Sequence, residues 1–113
     1  MKEVIVKRPG LVNGPEDRTI TGDLESMQEI VGGYIELVRL PGLEEHGIDL
    51  YVNEEGKLNG LQANFLIYEG RDLVVGTVFF VGADEETGET VSLTAKQKKI
   101  VRKFLDTVPM GVF

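Results

Sequence analysis

The single histidine, His46, stands in Gly42-Leu43-Glu44-Glu45-His46-Gly47, where Glu44 or Glu45 beside it offers the donors of a metal or acid–base site. Adjacent residues on a turn rarely converge on one point, and one imidazole cannot supply the nitrogen-rich set that transition metals take. His46 reads as a solvated loop residue. A Ser–His pair has no better support, because Ser26 falls in a helical stretch, Ser92 on a late strand, and nothing local ties either to His46. Two acidic clusters, Asn53-Glu54-Glu55-Gly56 and Asp84-Glu85-Glu86-Thr87-Gly88, lack the alternating oxygens and distal glutamate of a calcium loop. They read as hairpin tips. With no cysteine in the chain, disulfides, zinc–thiolate sites and thiol catalysis are excluded. The expectation is therefore no metal, no cofactor and no catalytic residue. An enzyme would require carboxylates such as Glu36, Asp49 or Asp72 to converge in a pocket with shifted pKa values.

Recognition chemistry is better represented. Asn53, Asn59, Gln62 and Asn64 cluster in sequence near Tyr51, Phe65 and Tyr68. Amides beside aromatic rings provide edge hydrogen bonds and stacking faces for a purine-like or sugar-like ligand. Asparagine is also a turn former, which explains the same residues structurally. The expected ligand contacts are Tyr51, Asn59 and Asn64, with Arg39 as a cation. A second candidate lies near the C-terminus. Over residues 95–108 five basic residues and one acid leave a charge of +4, so the rest of the chain carries −11. Lys96, Lys99, Arg102 and Lys103 form a face for anions or for steering subunits together, or simply the solvated side of an amphipathic helix. Gly32-Gly33 follows a helical stretch, whereas a phosphate cradle precedes one, so this pair reads as a structural corner.

These residues belong to a chain of 113, the size of one domain spanning 1–113. Hydrophobic residues at 42% and charged residues at 27% suit a globular core, and no apolar run reaches the length of a membrane span. Met1-Lys2-Glu3-Val4-Ile5-Val6-Lys7 reads as a first strand and not as a signal peptide, and a cytoplasmic setting is expected. The formal charge of −7 argues against general binding to nucleic-acid backbones, which requires cations to displace counterions.

The elements that must position the candidates are an α+β set, a mainly antiparallel sheet with two helices at about 23–31 and 95–108. Val4-Ile5-Val6 is a strand, and Arg18–Thr21 is a short second one. Leu24, Met27, Ile30 and Val31 share a helical face, with Asp23 or Thr21 as N-cap and Gly32 or Gly33 closing the end. Tyr34–Leu40 is apolar on both faces and is expected inside the sheet. Ile48–Val52 alternates, and the turn at Asn53–Lys57 is expected to make a hairpin. Leu58–Tyr68 has no readable period. Leu73–Ala83 is expected as one buried strand with a bulge at Gly76, and Glu89–Leu93 as a strand pairing back. Thr94-Ala95-Lys96-Gln97 matches a capping box, and Ile100, Val101, Phe104, Leu105 and Val108 share a face that Pro109 ends. The tail Met110-Gly111-Val112-Phe113 is apolar and would cover the core or dock on a second subunit.

Three stretches resemble the family of domains of unknown function called DUF3846: Leu24 through Glu36 with its Gly32-Gly33-Tyr34-Ile35-Glu36 core, Val52 through Leu61 with Asn64, and Asp72 through Thr77 with Val81-Gly82. The opening Val4-Ile5-Val6-Lys7-Arg8-Pro9-Gly10 is similar too, so the likeness runs from about Lys2 to Ala83. The family tends to place Pro-x-Asn-Arg after the Gly-Leu, and here Gln62-Ala63-Asn64-Phe65 stands, with Phe65 in place of the arginine. The resemblance brings no catalytic residues. It implies a small accessory protein of bacteriophages and related mobile elements. The combined expectation is a non-catalytic, homo-oligomeric binder that sequesters a small anionic, nucleotide-type signal to counter host defence. The alternative is an acidic protein-binding inhibitor or DNA mimic acting on a host enzyme, sensitive to charge reversal at Glu54/Glu55 or Glu85/Glu86.

Overall fold

A computed structural model describes residues 1–110. Eight strands and two helices follow in the order β1 (Lys2–Lys7), β2 (Glu16–Ile20), α1 (Leu24–Val31), β3 (Ile35–Val38), β4 (Ile48–Asn53), β5 (Ala63–Ile67), β6 (Asp72–Val75), β7 (Val78–Ala83), β8 (Thr90–Val91) and α2 (Ala95–Thr107). The fold is α+β. Its main sheet runs β2-β1-β7-β4-β3 with β8 against β7, all antiparallel, and β5–β6 form a separate hairpin.

Period-2 alternation along the central strands divides the core between the two faces of the main sheet. Val4, Val6, Phe79 and Val81 pack under α1 with Met27 and Val31. Ile5, Leu50, Val52 and Phe80 face α2 and the β5–β6 hairpin, meeting Val101, Leu105, Phe65 and Val74. Phe65, Phe80 and Phe104 form an aromatic knot there, with ring centroids 6.0–6.4 Å apart. Phe65 and Phe80, both fully buried, each contribute about 1.5–3 kcal/mol of transfer free energy. On α1 the apolar face is only partly used, since Leu24 stays exposed.

Local chemistry sets the helix ends. Asp23 caps α1 by accepting from the Ser26 N–H at 2.8 Å, and Gly32 closes it in the left-handed conformation with φ of 77°. Gly33 is needed for a different reason: a Cβ there would lie 2.8 Å from the Asn53 side chain. The capping box at Thr94 and Gln97 is complete. After Pro109, Met110 bridges to Phe65, and residues 111–113 of the expected apolar tail lie outside the described residues.

Three expectations are corrected. The strand expected at Tyr34–Leu40 is the edge strand β3, paired on one side only, because β7 and not β3 occupies the centre. Its apolar residues are instead partly exposed, Leu37 at 38%. The turn after Asn53 makes no hairpin. It carries the chain out of the main sheet into β5, since both ladders of β4 are already taken by β3 and β7. The run Leu73–Ala83 is two strands in two sheets, broken at Gly76, whose φ of 75° turns the chain and whose N–H donates to the Gln62 carbonyl.

Candidate functional site

Asn64 is the extra residue of a β-bulge, since Ala63 faces Val75 and Phe65 faces Val74. The bulge turns its side chain inward, where Nδ2 donates to the carbonyls of Lys7 at 3.0 Å and Gly76 at 2.9 Å. It thereby ties the small hairpin to β1 and to the break between β6 and β7. Its Oδ1, fully buried, accepts from no group among the described residues. Asn53 is a second buried strut, donating to the Val31 carbonyl at the end of α1 and accepting from the Glu55 N–H. Asn59 stands exposed in the turn beyond, beside a shallow hollow of about 260 Å³ shared with Gly33, Tyr34 and Glu55.

Of the expected ligand contacts, only Tyr51 and Arg39 come together. Asp49 and Tyr51 alternate onto the α1 face of β4, and the Tyr51 ring stacks on Phe79 with centroids 5.4 Å apart. Arg39 Nε lies 3.9 Å from Asp49 Oδ1. Burial pushes the Asp49 carboxyl above the usual range, Arg39 opposes that, and Glu44 adds to it. Burial likewise raises the Tyr51 phenol, with the Asp49 charge adding to the shift. Glu36 and Asp72 stand apart from this pair. Glu36 is exposed on edge strand β3, and Asp72 is held low by its hydrogen bond and ion pair with Lys57.

The basic helix divides into two stripes. Lys98 meets Glu3 at 2.6 Å and Arg102 meets Asp17 at 2.8 Å, so these cations bind α2 to the acidic residues of β1 and β2. Lys96, Lys99 and Lys103 form an exposed stripe with no ion pair among the described residues.

A concavity of ligand size lies elsewhere. A groove of about 500 Å³ opens between the tip of the β5–β6 hairpin and the last turn of α2. Its floor is apolar, with Leu40, Ile67, Phe104 and Val108, and its rim carries Tyr68, Glu69, Arg71 and Thr107. Tyr68 and Glu69 both adopt left-handed backbone, with φ of 53° and 57°, followed by Gly70 at 85°. Non-glycine residues there cost on the order of 1 kcal/mol each, a strain that the surrounding structure must impose. The turn is closed by Gly70 N–H to Ile67 O and Arg71 N–H to Tyr68 O, both 3.1 Å. Tyr68 is left about half exposed, and Arg71, which lines the same groove, is a cation that no carboxylate engages among the described residues. A larger hollow of about 560 Å³ beside α1 is lined by Asp23, Glu25 and Glu29 with Arg18, the wrong balance for an anion. Tyr68 is one of the rings near the amide cluster in sequence but not one of the expected contacts, and nothing in the sequence singles out Arg71. Their pairing depends on a left-handed Tyr-Glu step that no propensity rule favours.

No helix among the described residues is long and apolar enough to cross a membrane. The family model described as Domain of unknown function (DUF3846) matches residues 1–107, and the chain belongs to that family. No curated protein and no solved structure matches it.

Proposed function

We propose that this member of the DUF3846 family is a non-catalytic binding protein that holds a small anionic ligand of nucleotide type in the groove at Tyr68. One observation carries the reading: an apolar-floored groove of about 500 Å³ is lined by an exposed tyrosine and by an arginine that no carboxylate engages among the described residues. That volume falls within the range of small-molecule sites. A planar base against Tyr68 gains stacking and buried area, while Arg71 meets a phosphate through a charge-assisted fork. Glu69 on the same rim disfavours polyanions and sets a preference for small, singly charged ligands. In the same proposal the chain is a bacteriophage or mobile-element accessory protein. It acts as a homo-oligomer in the host cytoplasm and withholds a signal from host defence.

Calorimetry against mononucleotides, cyclic nucleotides and inorganic phosphate tests it. The expected result is heat with at least one nucleotide, and affinity reduced about tenfold or more by Tyr68→Ala or Arg71→Ala, as loss of one stacking or charge-assisted contact implies. No heat from any nucleotide, or heat that neither variant changes, overturns the reading. A stable complex with a host enzyme, broken by reversal at Glu54/Glu55 or Glu85/Glu86, would instead support the acidic-inhibitor alternative.

A further inference from the structure

We propose that the outer edge of β3 is a docking site for an extended, basic segment of a partner protein, which adds to the main sheet as a further antiparallel strand. In an antiparallel ladder, alternate residues turn their backbone groups toward the partner strand. Tyr34 O accepts from the Glu54 N–H, and the register pairs Glu36 with Val52 and Val38 with Leu50, so these residues spend their backbone groups on β4. The N–H and C=O groups of Ile35 and Leu37 therefore point outward, open donors and acceptors among the described residues that strand addition satisfies.

The sheet's other edge is treated differently. On β2, Glu16 pairs with Arg18 and Arg8, and Asp17 pairs with Arg102, so that edge carries the fixed charges that discourage pairing. On β3 the side chains are Ile35, Glu36, Leu37 and Val38, with Tyr34 before them exposed at 64%. Between the β3–β4 pair and the β5–β6 hairpin runs a cleft of about 320 Å³ that reaches this edge at Leu37 and Val38 and is lined further by Val52, Glu54, Leu73 and Val75. Alternate side chains of an added strand would fall into it, the arrangement by which strand addition acquires selectivity.

Charge decides the occupant. Lys57 and Arg39 are committed to Asp72 and Asp49, while Glu36 and Glu54 carry no ion pair among the described residues. The local field is thus acidic, on a chain of net charge −7. A second copy of the chain would bring that same charge to the edge, whereas a basic segment alternating aliphatic and cationic residues is complementary to it.

The test uses end-blocked peptides of alternating valine and lysine, with alternating valine and glutamate as the control. Titration into the full chain by NMR is expected to protect the amides of Ile35 and Leu37 from exchange with the lysine peptide only. Leu37→Pro removes an outward N–H while leaving the β4 ladder intact, and is expected to weaken binding about tenfold or more. Glu36→Lys with Glu54→Lys, which leaves the backbone untouched, is expected to weaken it severalfold. The proposal is overturned by equal binding of both peptides, by absence of protection on β3, or by binding that Leu37→Pro leaves unchanged. It is also overturned if the chain sediments as a dimer that Leu37→Pro converts to monomer, since the edge then belongs to a second copy. Nucleotide binding at Tyr68 is measured on the same variants, so failure at one site is separable from failure at the other.

Discussion

A single amide, Asn64, joins three parts of the fold, and its value lies in being a donor. Its Nδ2 donates to both the Lys7 and the Gly76 carbonyls. Asn64→Ala should cost about 2–4 kcal/mol, from the loss of two buried hydrogen bonds, read as a shift in the urea midpoint. Asn64→Asp should cost more, because a carboxylate offers no donor and adds a buried charge. A variant that melts like the wild type would show that the bulge is held by other groups. Asp49 makes the opposite case, a buried group whose charged form is disfavoured. Its folded pKa lies above the unfolded value near 3.9, so between those two values the native state holds the extra proton. Its contribution to stability therefore falls as pH rises through that window. Asp49→Asn should melt higher than the wild type at pH 7, with the gain shrinking toward pH 3.5. The comparison of the two proteins is essential, because Glu16, Asp23, Glu45, Asp72 and Asp84 shift downward and lose their stabilisation as pH falls. A gain that is flat with pH would mean that Arg39 compensates fully for burial.

Elements whose signals are local were readable from sequence, and elements defined by long-range pairing were not. Asp23, Gly32, Thr94 and Pro109 mark the helix ends within a few residues, so both helices fall where expected. The break in Leu73–Ala83 was hidden because Val74, Val75, Val78 and Phe79 are apolar whichever sheet they join. Only Gly76 carried the signal, and a bulge and a change of sheet predict the same residue there. The edge position of β3 was equally hidden, since both faces of Tyr34–Leu40 read as apolar and no residue declares what lies beside it. At the candidate site, the amides drew attention by type, yet Asn53 and Asn64 turned inward and the exposed ring belongs to Tyr68. Gly76 is where the element boundary can be tested. Its φ is 75°, and an added Cβ would lie 2.7 Å from Leu61 Cδ1. Gly76→Ala should cost about 1–2 kcal/mol from left-handed strain alone, more if Leu61 cannot move, as measured by chemical denaturation. An unchanged midpoint would show that β6 and β7 can join as one strand.

For the whole molecule, the consequence of a sheet with unequal covers is unequal stability. The α2 side carries the aromatic knot, the β5–β6 hairpin and a helix with a complete capping box, further tied by Glu3–Lys98 and Asp17–Arg102. Exposed ion pairs of this kind add little each, so the difference rests mainly on buried apolar surface. The α1 side is covered by eight helical residues, of which Met27 and Val31 are buried, and by the Asn53 clamp at their end. Native-state hydrogen exchange should therefore resolve two openings, with α1 amides released at a lower free energy than those of β1, β4, β7 and α2. Asn53→Ala should lower the α1 opening further while leaving the global one nearly unchanged, because the clamp holds α1 to β4 and nothing on the other face. Because the Tyr68 groove and the Asp49 pair lie on opposite faces of the sheet, a loosened α1 should leave ligand binding at the groove intact. Exchange of α1 and α2 amides through one common opening would mean that the two faces of the core form a single cooperative unit.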